Sequence, residues 1–220
     1  LLLGLRERGD FLGKAGESLP IVAGDARFIL VGRGSKDALN SDSLRKAAGR
    51  GAKEAMRFVC SALAVHCPSE EIVKKHVHIS FEAMVQAVVE GTLLGSYKYD
   101  KYLAKQPDEK KGAIKEMKFV TADEGFQGRM KAGIEVAVTI CDGVELARNL
   151  TNAPSNEVSA ETLAKEAVAI GKKHSLKVVV LGKKEMEQHK MAGLLAVNQG
   201  SSNEPRFIIM EYNETKRRMP

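Results

Sequence analysis

The side chains able to do chemistry in this 220-residue chain fall into three small sets. Cys60, His66, Cys67, His76 and His78 are the residue types that bind zinc, whose ligands must converge to within about 2.0–2.3 Å of the ion. If Arg57–His66 is a strand, Cys60 and His66 stand roughly 20 Å apart at about 3.3 Å per residue, so they cannot share an ion. Cys67 would then have to turn back beside His76 and His78, a spacing that fits no zinc pattern. Buried cysteines and surface histidines are the simpler expectation. Asp123 and Glu124 are adjacent carboxylates, which on a strand point to opposite faces. Val31-Gly32-Arg33-Gly34-Ser35 is half of a dinucleotide-binding fingerprint, but Asp37 stands where a third glycine is needed. A tight turn after a strand explains it better. No serine or cysteine sits in a context that would activate a nucleophile.

The elements that would position these groups alternate between strands and helices. Arg27–Val31 is an apolar run closed by Gly32, as for a buried strand. Asn40 or Ser41 can cap a helix over Asp42–Glu54. Arg57–Val65 suits a strand, with a helix as the alternative. Ser80–Tyr97 reads as a helix with Phe81, Met84, Val85, Val88 and Leu94 near one face, while Gly91 and Gly95 allow another element to come close. Lys115–Thr121 is a strand. Over Glu124–Asn149, Met130, Ile134, Ala137, Cys141 and Val144 recur at helical spacing, although the β-branched run Ile134–Ile140 also suits strands. Cys141 is then a small core residue. Thr151–Asn156 is turn chemistry. Ser159–His174 is a helix capped by Ser159, with Leu163, Ala167 and Ile170 as its buried stripe and Lys172 and Lys173 at the end its dipole favours. Lys177–Leu181 and Arg206–Tyr212 are strands around a small helix at Lys184–His189. Leu1–Arg6 resembles the end of a helix rather than a signal peptide, and it points to residues upstream.

Composition narrows the class. The chain is 44% hydrophobic and 28% charged with six prolines, which is globular rather than disordered. At this length folding buries roughly 70% of the unfolded surface, enough for a core without staples. No run of about 18 apolar residues suggests a membrane span. Three cysteines do not make a disulfide scaffold and fit a reducing cytoplasm. The net charge of +6 is spread over lysines: seven against four acids in Lys98–Lys118, and six against two in Lys172–Lys190. With little arginine and few aromatics between them, this is a solvated surface more than a nucleic-acid platform.

Gly9-Asp10-Phe11-Leu12-Gly13-Lys14-Ala15-Gly16-Glu17 resembles the "GDF-x-GK-x-GE" entry of the leucyl (cytosol) aminopeptidase family. Phe28–Gly34 resembles its "LLVGLG" strand and turn, and Glu90–Tyr102 its "EG-x-LL-x-Y-x-FD-x-Y" helix end. Ala147-Arg148-Asn149-Leu150-Thr151-Asn152-Ala153-Pro154-Ser155-Asn156 followed by Leu163-Ala164 is similar to "ARDL-x-N-x-PPN … LA", with Ser155 in place of a second proline. Ala192–Ser201 resembles "G-x-LLAVGQGS", continued by Pro205–Ile208. Each match is weak alone; six in family order are strong.

The resemblance implies an α/β fold: a macro-domain-like α/β/α sandwich with a mixed sheet over residues 1–123, a linker helix over 124–152, and the first α/β elements of the catalytic domain over 153–220. It implies a cytoplasmic hexamer that releases N-terminal residues from peptides with two divalent ions, usually zinc, manganese or magnesium. The family's metal ligands and catalytic lysine lie in "VGKG-x-TFDSGG" and "NTDAEGRL" segments. Neither occurs before Met219-Pro220, so no catalytic, metal or substrate-binding residue is carried over and this stretch is expected to be structural and inactive alone. Ala122–Gly125 is only a look-alike of "DAEG", and Val31–Gly34 of "VGKG". The alternative is a regulatory module binding DNA or a nucleotide such as ADP-ribose, with Gly32–Ser35 as the phosphate cradle.

Overall fold

Asn40 leaves an extended backbone (φ −152°, ψ 180°) and starts the first long helix, α2, Ser41–Ala55. Its side-chain oxygen accepts from the Ser43 N–H at 2.9 Å while the Ser43 hydroxyl accepts from the Asn40 N–H at 2.9 Å, so two donors at the helix end are satisfied reciprocally. The computed structural model describes residues 2–58, 62–76, 79–103, 114–121 and 125–212. The fold is α/β, in two compact units, Leu1–Arg148 and Asn149–Pro220.

In the first unit a short α1, Leu2–Glu7, precedes the antiparallel hairpin of β1, Ser18–Ala23, and β2, Ala26–Val31. After α2, the parallel pair of β3, Ala62–His66, and β4, Glu116–Val120, is bridged by α3, Glu70–His76, and α4, Phe81–Ser96. The expected strand at Arg57–Val65 is therefore shorter at its start. Met56 and Arg57 donate their N–H groups to Ala52 and Glu54 carbonyls, so the end of α2 takes up these residues.

Ser80 caps α4 by accepting from the Ala83 N–H at 3.1 Å. Phe81, Met84, Val85, Ala87, Val88 and Val89 are all buried, so α4 is apolar nearly all round and forms the centre of the unit. α2 reaches it because of glycine. A Cβ on Gly91 would lie 2.1 Å from the Arg45 carbonyl oxygen, and one on Gly95 would lie 2.6 Å from the Gly49 Cα. The expected close approach at Gly91 and Gly95 is thus the α2–α4 contact. Beside it Glu90, 4% exposed, is fully served: Arg45 donates from Nε and Nη2, each at 2.7 Å, and Gln86 at 2.7 Å. A carboxylate buried without such donors would cost several kcal/mol.

α5, Gln127–Asn152, buries Met130, Gly133, Ala137 and Cys141 and packs Ile134 on the same core, which is the seam read from spacing. Its β-branched run is helical after all. The helix runs through Thr151 and Asn152, two residues into the expected turn, and stops where Ala153 precedes Pro154, which disfavours helical backbone.

The second unit holds α6, Ala160–His174, β5, Lys177–Leu181, α7, Lys183–Gln188, α8, Ala192–Asn198, and β6, Phe207–Glu211. Ser159 caps α6 as expected, accepting from Thr162 N–H. Ala167 is buried as expected, but its companions are Ala164 and Gly171, with Leu163 40% exposed and Ile170 half-buried. Close seating on β5 selects small residues, since a Cβ on Gly171 would lie 2.3 Å from Val178 Cγ2. β5 and β6 pair antiparallel, so parallel and antiparallel pairings both occur, each in its own two-stranded sheet among the described residues.

Candidate functional site

The glycine-rich loop Gly9–Glu17 and the turn after β2 are built around one carboxylate. Glu17 accepts from the Leu12 N–H at 3.1 Å and from the Lys14 N–H at 2.8 Å, and these bonds, Leu12 foremost, hold it below the ordinary carboxylate range. Gly9, Gly13 and Gly16 supply the positive φ angles the loop requires. The turn docks on this loop: Gly32 N–H donates to Glu17 O at 2.9 Å and Gly34 N–H to Gly13 O at 3.0 Å. A Cβ on Gly32 would lie 2.0 Å from the Lys14 carbonyl oxygen. Both glycine segments therefore spend amide groups on each other and on Glu17, where a phosphate cradle would aim them at a ligand. The turn that resembled half of a dinucleotide fingerprint and the Gly9–Glu17 loop are one structural clasp.

Of the zinc-type residues, His66, Cys67 and His76 fall among the described residues. Cys60 and His78 lie outside the described residues, as do Asp123 and Glu124. His66 is exposed at the end of β3, and His76 is the last residue of α3. Cys67 is fully buried, donates its N–H to Val120 O at 2.7 Å, and burial pushes its thiol up to about 11. Cys141 is buried with its sulfur 4.0 Å from Glu90 O, and desolvation with help from the Glu90 charge pushes it up to about 11 as well. Both are protonated and unreactive at neutral pH. Among the described residues no group of three or more His, Cys, Asp or Glu side chains is placed to hold a metal ion.

One charged cluster has no counterpart in the reading of the sequence. Arg129, in the first turn of α5, donates from Nη2 to Glu82 at 3.0 Å and from Nη1 to Glu70 at 2.8 Å, with a further contact from Nε to Glu82. Its guanidinium also lies over the rings of Phe81, at 5.4 Å, and Phe126, at 5.0 Å. Hydrogen bonding to Arg129 draws the Glu82 carboxyl down to about 2 and lowers that of Glu70. The cluster ties α3, α4 and α5 together. Its only sequence signal was a phenylalanine–arginine pair at 126 and 129, a spacing that any helix start can show.

A half-open hollow of about 400 Å³ lies where Leu93 and Leu94 of α4 meet Cys141 of α5, rimmed by Lys98, Asp100, Asp142 and Glu145. No described helix is long and apolar enough to cross a membrane.

The fold and its clasp can be set against known proteins. The N-terminal domain of the cytosol aminopeptidase family matches residues 1–106, and the catalytic domain of the same family matches residues 145–220. The chain belongs to the cytosol aminopeptidase family. Curated relatives agree along its length: a probable cytosol aminopeptidase of Protochlamydia amoebophila is 34% identical over 93% of this chain and 40% of its own, and that of Roseiflexus castenholzii is 33% identical over 94% and 42%. The chain thus spans about two fifths of the length of these aminopeptidases. Among solved structures, a mutant of tomato leucine aminopeptidase superposes with a TM-score of 0.79 at 26% identity, over 99% of this chain and 42% of that one. The bottromycin maturation enzyme BotP, solved also in complex with Mn, shares the fold at TM-scores of 0.75 and 0.74 over 95% of this chain. The chain carries the N-terminal domain and the start of the catalytic domain of that family, as the ordered motifs implied. The catalytic-domain match opens at residue 145, inside the last two turns of α5.

Proposed function

We propose that this chain is the N-terminal and opening catalytic part of a metal-dependent aminopeptidase that releases N-terminal residues, leucine among them, from peptides. The single observation behind this reading is that two domains of one family match in order, with α5 spanning the junction. In the whole protein, residues 1–123 form a bracing domain, 124–152 a connector and 153–220 the first catalytic elements. Cytoplasmic location and a hexamer complete the reading, which rests on the family alone.

The chemistry needs two divalent ions, zinc, manganese or magnesium, to hold the substrate amine and carbonyl oxygen and to activate water. The described residues do not fit such a centre, because no three of their ligating side chains converge. No catalytic step is assigned to them. Their role is architectural: the clasp at Glu17 and the Arg129 cluster fix the bracing domain, and Glu90 fixes α2 on α4. The regulatory alternative has less support, since Glu17 and Gly13 occupy amide groups a nucleotide phosphate would need.

The test is hydrolysis of a leucyl amide. The pure 220-residue chain should be inactive with manganese or zinc, while the protein read from the whole coding sequence should be active and lose activity with a chelator. Metal-dependent hydrolysis by the 220-residue chain, or none by the longer protein, sinks the reading.

A further inference from the structure

The long helix α5 presents a second apolar face that the first unit leaves uncovered. Roughly a quarter-turn from the buried Ala137 and Cys141, Val136, Ile140, Gly143 and Ala147 follow one another at spacings of four, three and four, which is a helix-packing stripe. Val136 and Ile140 are 48% and 43% exposed, and Ala147 is exposed. Gly143 sharpens the point. Gly91 and Gly95 admit a neighbouring backbone, yet nothing lies within 4 Å of where a Gly143 Cβ would stand. A glycine inside a helix costs about 1 kcal/mol against alanine. No described residue of the first unit offsets that cost, nor the weaker helix propensity of Val136 and Ile140.

The identity of the missing neighbour follows from position. The stripe ends within the stretch where the catalytic-domain match begins, at residue 145, and the curated relatives carry more than half their length beyond what this chain spans. We infer that the stripe Val136–Ala147 is the seat on which the remainder of the catalytic domain docks, with Gly143 as the point of closest approach. The second unit points the same way by itself: Val197, on α8, is 86% exposed and Leu194 and Met210 are exposed, as expected of catalytic-domain elements whose partners come from further chain.

This inference rests on the proposed function, and thiol labelling separates the two. In a Cys60→Ser background, with Cys67 and Cys141 buried, Val136→Cys is labelled with a maleimide in the 220-residue chain and in the protein from the whole coding sequence. The expected result is fast labelling in the former and labelling slowed at least ~100-fold in the latter, the protection of a packed element. Equal rates in a longer protein that still hydrolyses leucyl amide overturn the docking while the function stands. Protection in the short chain that grows with concentration overturns it in favour of a second copy. A reading frame ending at Pro220 overturns both. A second variant guards against misfolding: Ile140→Asp should leave the denaturation midpoint of the short chain unchanged and lower that of the longer protein, and equal midpoints in the longer protein count against the seat.

Discussion

Replacing Gly91 by alanine tests the α2–α4 contact at its narrowest point. The added methyl carbon would lie 2.1 Å from the Arg45 carbonyl oxygen, where ordinary contact begins at 3.4 Å, so α2 must retreat by about 1.3 Å (3.4 − 2.1). Overpacking of this kind costs about 1–3 kcal/mol. The retreat also draws Arg45 away from Glu90, and a buried carboxylate that loses its partner costs about 3–5 kcal/mol more if the bond is lost outright. Against these stands the gain of about 1 kcal/mol from alanine in a helix. Overpacking less the helix gain leaves a loss of about 0–2 kcal/mol if the Arg45–Glu90 bond survives and about 3–7 kcal/mol if it is lost outright, the latter about 6–28 °C in Tm at roughly 2–4 °C per kcal/mol. Gly143→Ala is the control, because it makes the same chemical change in a helix with no neighbour within 4 Å and should stabilise by up to about 1 kcal/mol. Urea denaturation followed by circular dichroism measures both. If Gly91→Ala exceeds the unsubstituted chain in stability, the glycine contact does not set the helix spacing and the reasoning fails.

Three further outcomes follow. The Glu82 carboxyl is held near 2 by Arg129 against an ordinary 4.5, so its contribution is present above about 4.5 and is lost as pH falls towards 2; a Tm profile over that window should fall, and Glu82→Gln should flatten it. Ser175 ends α6 in the left-handed region at φ 56°, so Ser175→Gly should raise stability by up to about 1 kcal/mol, and a drop in the urea midpoint would contradict the strain. With Cys67 and Cys141 buried and their thiols pushed up to about 11, a Cys60→Ser chain should show no fast-reacting thiol with Ellman's reagent until it is unfolded.

Much of the fold was legible because its signals are local. The caps at Asn40, Ser80 and Ser159, the seam Met130–Cys141 and the strands at Arg27–Val31, Lys115–Thr121 and Lys177–Leu181 each depend on residues within a turn or two of one another. The misses have a common cause. Leu163 reads as buried by period and hydrophobicity, but α6 sits so close to β5 that Ala164 and Gly171 join the expected Ala167 on its inner face instead. The turn expected at Thr151 starts after Asn152, because turn-forming residues are tolerated in a last helical turn until a proline forces the exit.

What the sequence by itself determined is the family and the alternation of strands and helices, since ordered motifs and periodicity survive without coordinates. What only the tertiary structure decided is what the motifs are for. Gly9–Glu17 and Gly32–Gly34, fifteen or more positions apart (32 − 17), close on each other through Glu17, and Arg129 meets acids 47 and 59 positions away. Such pairings are chosen by how packed backbones bring distant donors to one carboxylate, and no local pattern encodes that distance.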